Sequence, residues 1–185
     1  MPNKSIETFK NNVLGKLGLS RPTRYIIEIA PPLARGSANN LITIHQPESV
    51  TLPARGFQTI DDNIYGPIRK VPVRNEYSDG IVMTFPVSED WSERAILEEW
   101  MDSIVNPADN TSTYEDVLEG VLKIYCEDGS GNPTAIFEFD EVYPISIMPV
   151  NMGYMMVNDY TKLQVRFQYR SYTIELPGAG YKTPT

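Results

Sequence analysis

Between Lys162 and Arg170 the chain alternates without a break. Leu163, Val165, Phe167 and Tyr169 share one parity; Lys162, Gln164, Arg166, Gln168 and Arg170 share the other. A period of two over such a run predicts a β-strand with one buried and one wet face. The wet face carries only amides and cations, so the strand is expected to present a polar sheet surface to something. Upstream, Tyr143-Pro144 and Met148-Pro149 are expected to interrupt an apolar run, because proline cannot donate to a sheet ladder. The 162–170 strand is accordingly read as the place where a barrel or sandwich closes.

The rest of the chain predicts short strands and two helices. Residues 5–18 place Ile6, Phe9, Val13 and Leu17 on one stripe, a short helix with Ser5 as its cap and Gly18 at its end. Strands are expected over Arg24–Ala30, over Leu41–Gln46 with the sole histidine, His45, and over Gly80–Val87. Ser88 is read as the cap of a helix across Glu89–Val105, with Glu89 and Asp90 in its first turn, where the helix dipole favours anions. Its apolar stripe is Leu97, Trp100, Met101 and Ile104, and Trp91 and Trp100 are read as core anchors. Glu119–Glu127 and Thr134–Asp140 then form a hairpin around Asp128-Gly-Ser-Gly-Asn-Pro133.

Residues 47–79 fit neither period well. Prolines at 53, 67 and 72 bar a central strand. Yet Val50, Leu52, Phe57, Ile60, Ile64, Tyr65, Ile68, Val71 and Val73 make the stretch too apolar for a solvated loop. An extended hairpin arm that needs covering is the expected form. Met148, Met152, Met155 and Met156 form a second group suited to an interface or to core filling.

Composition narrows the classes. At 185 residues the chain can bury one sizeable core, and one domain over 1–185 is expected, with arms at 1–19 and 47–79 and a tail at 175–185. Fifteen acidic and two basic residues lie between Ser88 and Glu141, a net of −13; the remaining residues sum to +5, giving −8 overall. Such acidity disfavours phosphate contacts. Neither a signal peptide nor a membrane span is expected from the apolar runs of the chain. The single cysteine, Cys126, sits in an apolar strand pattern and reads as a buried structural thiol in a reducing compartment.

Catalytic signatures are missing. No phosphate-binding loop, nucleophile elbow or paired His/Cys arrangement occurs, and His45 has no partner at ligand spacing. Asp128, Ser130 and Asn132 have the i, i+2, i+4 spacing of a calcium loop, but position 139 is Phe where a bidentate carboxylate is needed, so a plain turn is expected. Asp61-Asp62 and Glu98-Glu99 sit in a loop and on an outer helix face, not in an enclosed acid/base pair. The chain reads as a non-enzyme with no cofactor and no metal.

Four stretches, in this order, resemble the tail tube protein family of contractile-tailed bacteriophages. They are Arg21-Pro-Thr-Arg-Tyr-Ile-Ile-Glu-Ile29; Leu52-Pro53 with Gly66-Pro-Ile-Arg-Lys-Val-Pro72; Thr84-Phe85 with the Trp91–Val105 helix and its Glu99-Trp100; and Val142-Tyr143-Pro144 leading to Leu163-Gln-Val-Arg-Phe-Gln-Tyr169. The likeness covers roughly residues 20 to 174.

The resemblance implies a mainly β (α+β) fold: two packed antiparallel sheets forming a small barrel-like sandwich with a flanking helix. Subunits of that family form rings, six copies sheet edge to sheet edge, and the rings stack into a tube that conducts DNA without binding it specifically. Sheath and baseplate proteins would be partners, no membrane would be involved, and the chain would reside in the virion tail after assembly in the host cytoplasm. Leu52, Phe57, Ile60, Ile64, Tyr65, Ile68, Arg69, Lys70 and Val71 are the candidate ring-stacking residues. Lys162, Gln164, Arg166, Gln168 and Arg170 are the candidate lumen face; their cations either pair with neighbouring acids or turn toward the sheath. Three alternatives stay open: a tube initiator at the baseplate junction, the inner tube of a contractile injection system or bacteriocin, and a monomeric β-sandwich module that binds carbohydrate.

Overall fold

The structure, a computed structural model, describes residues 6–7, 19–32, 47–63, 66–77, 80–112, 120–154 and 159–183. The elements in chain order are β1 (Tyr25–Ala30), β2 (Ser49–Val50), β3 (Arg55–Asp62), β4 (Arg69–Tyr77), β5 (Ile81–Pro86), α1 (Ser92–Ile104), β6 (Gly120–Glu127), β7 (Pro133–Ile147), β8 (Lys162–Gln168), β9 (Ser171–Leu176), a short 3-10 helix (Pro177–Ala179) and β10 (Tyr181–Lys182). Hydrogen bonding orders one eight-stranded sheet as β1-β6-β7-β8-β5-β2, with β9 joined to β7 and β10 to β9; β3 and β4 form a separate two-stranded sheet. The mainly β class with two antiparallel sheets and one flanking helix agrees with the sequence reading. The larger sheet does not close into a barrel. The 162–170 strand is not a closing edge either, since β8 lies between β5 and β7. The helix expected over 5–18, apart from residues 6–7, and the strand over 41–46 with His45 lie outside the described residues.

The chain divides into two compact units, Ile29–Leu122 with Phe139–Tyr172 and Met1–Glu28 with Lys123–Glu138 and Thr173–Thr185. In the larger unit the β5–β8 ladder sets the core. Its register pairs Ile81 with Phe167, Met83 with Val165 and Phe85 with Leu163, and all six side chains are fully buried. Each such burial stabilises by roughly 1.5–3 kcal/mol. The intervening pairs Val82–Arg166, Thr84–Gln164 and Pro86–Lys162 take the opposite face. Trp100 of α1 packs its ring 6.1 Å from Phe167, and Leu97, one turn earlier, is fully buried. Phe139, Tyr169, Tyr172 and Tyr77 add a chain of edge and tilted ring contacts, with centroids 5.2 to 6.0 Å apart.

Three local readings need correction. The helix begins at Ser92, not at Glu89, and its N-cap is Trp91 in the left-handed region at φ 57°. Ser88 donates its hydroxyl to the Glu93 carboxylate at 2.6 Å and its backbone N–H to the same group at 3.0 Å. Glu93 is only 3% exposed, so the chain before the helix is folded back onto a buried carboxylate rather than capping directly. Trp91 is consequently half-buried at the helix entrance and is no core anchor. Finally, Pro144 does not end its strand: β7 continues to Ile147, with a register shift between Pro144 and Ser146. That bulge lets the strand pass a residue without an N–H while Pro144 stays buried opposite Phe167.

The smaller unit holds the outer part of the β6–β7 hairpin, where Asp128 accepts the backbone N–H groups of Ser130 at 2.7 Å and Asn132 at 3.0 Å. This is the turn expected from the spacing, and those bonds hold the Asp128 carboxyl below its usual range. Lys123 pairs with Glu138 at 2.7 Å, and the Tyr125 hydroxyl donates to Glu28 at 3.0 Å. Toward the end of the chain β10 pairs back on β9, Tyr181 opposite Leu176 and Lys182 opposite Glu175.

Two substitutions test this core. A Cβ at Gly120 would lie 2.4 Å from Trp100 Cζ2 and 2.9 Å from the Ala30 carbonyl oxygen. Gly120→Ala is expected to cost about 1–3 kcal/mol by overpacking, read as a lower thermal midpoint. Val165→Asp should yield no folded protein by circular dichroism, because it buries an unpaired charge; a soluble, cooperatively melting variant would reverse the assignment of faces.

Candidate assembly surfaces

Every residue of β3 is exposed, and so is every residue of β4 except Tyr77. The pairing runs from Arg55 opposite Tyr77 to Asp62 opposite Arg69, with a bulge at Gln58/Thr59 where Pro72 falls opposite Thr59. In a two-stranded sheet each strand has a free edge, the position that tolerates such a proline. Gly66 supplies the φ of +88° needed in the connection. Ile60 stands opposite Val71, Asp61 opposite Lys70 and Asp62 opposite Arg69. Opposed residues share a face, so an apolar pair is flanked by opposite charges. Phe57 and Ile68 are 61% and 66% exposed.

The extended arm predicted from sequence is therefore this hairpin. Phe57 and Ile60 lie on β3, Arg69, Lys70 and Val71 on β4, Ile68 just ahead of β4, and Leu52 exposed before β3. Ile64 and Tyr65 lie outside the described residues. Val73, counted from sequence in the apolar content of the arm, is exposed too, and the structure adds the contact of Tyr77 with Tyr172 at 5.4 Å.

The second surface is the outer face of β8. Lys162 and Gln164 are exposed, and Arg166 and Gln168 half-buried. Arg170 follows the strand, exposed. Two of the cations meet acids from distant sequence. Lys162 pairs with Glu48 at 3.1 Å, which raises its pKa, and lies 4.8 Å over the Tyr160 ring. Arg170 forms an ion pair with Glu141, a residue held at φ 54°. The pairing with neighbouring acids considered from sequence is thus present at both positions. Tyr143 and Ile145 of β7 add exposed apolar area, and Tyr143 stands opposite Gln168.

The methionine group separates. Met148 is half-buried, Met152 is exposed, and Met155 and Met156 lie outside the described residues. Met152 lines an open groove of about 810 Å³ together with Pro149, Val150, Tyr154, Asp159 and Tyr160. Acidic residues are divided among different tasks. Glu98 pairs with Arg94 at 3.1 Å, Asp109 accepts both the N–H and the hydroxyl of Thr111, while Glu99 and Asp102 are exposed on α1. The Asp109 carboxyl is held low by those Thr111 bonds. Among the described residues no group of three or more His, Cys, Asp or Glu side chains could hold a metal ion.

A sequence model of the phage tail tube protein family matches residues 20–175. Three solved structures share the fold. A chain of an extracellular contractile injection system, from the PVC sheath–tube complex in its extended state, is 15% identical, with a TM-score of 0.63 over 85% of this chain and 92% of that one. A chain of the six-fold symmetrised anti-feeding prophage baseplate is 8% identical, with a TM-score of 0.61 over 85% and 97%. A chain of the anti-feeding prophage tube-terminating cap is 14% identical, with a TM-score of 0.62 over 85% and 91%. No individual curated protein sequence matches.

Cys126 corrects one further expectation, since it is half-buried rather than buried. Burial still pushes its thiol pKa upward, so less thiolate is present at any given pH. Alkylation by iodoacetamide at pH 8 is expected to run several-fold slower in the native chain than in urea, with the pH–rate curve displaced upward.

Proposed function

We propose, from the premise that this chain belongs to the phage tail tube protein family, that its copies close into rings and that the rings stack into the inner tube of a contractile tail. The carrying observation is the β3–β4 hairpin, a structured element on or beside which Phe57, Ile60, Ile68 and Val73 are largely exposed among the described residues. A two-stranded hairpin is marginal in water by itself. Phe57, Ile60, Ile68 and Val71 call for a partner surface, and in a self-assembling subunit that surface belongs to another copy. The hairpin is the stacking element in this reading.

Ring closure has its own support. Among the described residues the larger sheet ends in β1, in the two-residue β2 and, on its branch, in β10, and open edges pair readily. Closed symmetry removes them. The outer face of β8 is the candidate lumen wall. Its amides, and cations held by Glu48 and Glu141, leave little uncompensated positive charge to grip a polyanion. DNA would slide along such a wall without specific contacts, and the chain would perform no chemistry on it.

Sheath and baseplate proteins are the proposed partners, supported by structural relatives taken from a sheath–tube complex and from a baseplate. The same relatives favour, as the second reading, an inner tube of a contractile injection system. Purified particles distinguish the two: a DNA-filled capsid attached to the tube supports the phage, an isolated tailed particle the injection system.

Arg55 and Tyr77 are cross-strand neighbours, so residues 56–76 can be replaced by Asn-Gly without straining the ends. That variant should melt within a few degrees of the native chain yet form no tubes in negative-stain micrographs. Native-length tubes from it would remove the hairpin from the stacking role.

A further inference from the structure

The direction in which the hairpin leaves the body is set at its base. On the reading that the hairpin is the stacking element, we infer that Tyr77 is a positioning residue for assembly: its ring, set edge-on against Tyr172, holds the hairpin at the angle at which copies fit together.

Among the described residues β3 and β4 pair with each other and with no other strand, so no ladder bonds tie the hairpin to the larger sheet. Tyr77 is the one residue of either strand that is not exposed. Its ring centroid lies 5.4 Å from that of Tyr172 with the planes 72° apart, the edge-to-face geometry that ring quadrupoles favour. Tyr172 is only 6% exposed and is itself packed by Phe139 at 5.6 Å and Tyr169 at 6.0 Å. Tyr77 therefore rests on close-packed core, which does not move with the hairpin. Its ladder partner Arg55 reaches the same place. Burial pushes the Tyr172 hydroxyl pKa upward, and the Arg55 charge acts against it. Arg55 also donates to the Asn75 side chain at 3.0 Å, which holds the two strands together at this end.

The points where the chain leaves and rejoins the larger sheet are fixed as well. Ahead of β3, β2 pairs with β5, the Thr51 N–H donates to the Val82 carbonyl at 3.1 Å, and Glu48 pairs with Lys162 at 3.1 Å. Past β4 the chain enters β5 through Gly80 at a φ of +98°, where a Cβ would lie 2.4 Å from the Phe167 carbonyl oxygen. Two fixed ends still leave a two-stranded arm able to tilt about the line between them. A third contact removes that freedom, and the Tyr77 ring supplies it. An arm already aimed loses less freedom when it docks, which lowers the cost of association. In a ring that presents several hairpins the saving recurs at each one.

The test uses the full chain, with assembly followed by sedimentation velocity across a concentration series. Hairpin position is read from pulsed electron spin distances between labels on Gln58→Cys and Asp102→Cys, both exposed sites, in a Cys126→Ser background. Tyr77→Ala should raise the concentration for half-assembly by about tenfold or more and broaden the distance distribution. Tyr77→Phe keeps the ring and should stay within about threefold of native, with the native distribution. Val165→Ala, a truncation in the core ladder, should lower the thermal midpoint at least as far as Tyr77→Ala yet assemble as the native chain does. Native-like assembly of Tyr77→Ala, an unbroadened distribution, or an equal loss of assembly in Val165→Ala overturns the positioning role and leaves the hairpin interface standing. So does a Tyr77→Ala chain that fails to fold, because Tyr77 is then part of the core. If the chain lacking residues 56–76 assembles normally, the underlying interface reading fails instead.

Discussion

The fold depends on one register. β5 and β8 place Ile81, Met83 and Phe85 opposite Phe167, Val165 and Leu163, and a slip of β8 by a single residue would turn its Leu163, Val165 and Phe167 outward and Lys162, Gln164, Arg166 and Gln168 inward. Burying two cations and two amides in place of three apolar groups is prohibitive, so the ladder admits one pairing. The polar outer face is therefore a consequence of the core. Under the proposed function, whatever the tube conducts would meet a surface whose composition was settled by the opposite parity of the same strand.

How much of this was legible depends on the range of the interaction. Alternation is local, and the buried parity of β8 and the existence of the helix could be read directly. The hairpin at 55–77 was legible as an arm because Pro53, Pro67 and Pro72 exclude a central strand while the apolar content excludes a solvated loop. The errors lie where a side chain answers to something distant or backbone-specific. Ser88 looked like a cap, but its partner is Glu93, five residues on and buried. Pro144 looked like a stop, but a bulge carries the strand past it. The Glu48–Lys162 pair spans 114 residues and leaves no local trace.

The distribution of acids bears on the same point. A net charge of −13 between Ser88 and Glu141 suggests one broad negative field. The structure divides it. Glu93 is consumed in holding the chain ahead of α1, Glu98 answers Arg94, Glu138 answers Lys123 and Glu141 answers Arg170. Exposed pairs of this kind contribute at most about 1 kcal/mol each to stability. Their larger effect is to trim the field that a partner or a passing polyanion meets, leaving Glu99 and Asp102 as exposed charges on the helix.

The hairpin then sets how assembly is regulated under the proposed function. Among the described residues the hairpin is held by its own ladder and by the Tyr77–Tyr172 contact at its base, so part of the order of its outer end would be acquired when it docks, at a cost in affinity for any single contact. A weak single contact is an advantage for a polymer. Free subunits at low concentration stay apart, whereas a ring presents several hairpins at once, and the second and later contacts form at high effective concentration. Growth from an existing ring is then far more favourable than pairing in solution, and the subunit needs no switch beyond the geometry of its own arm.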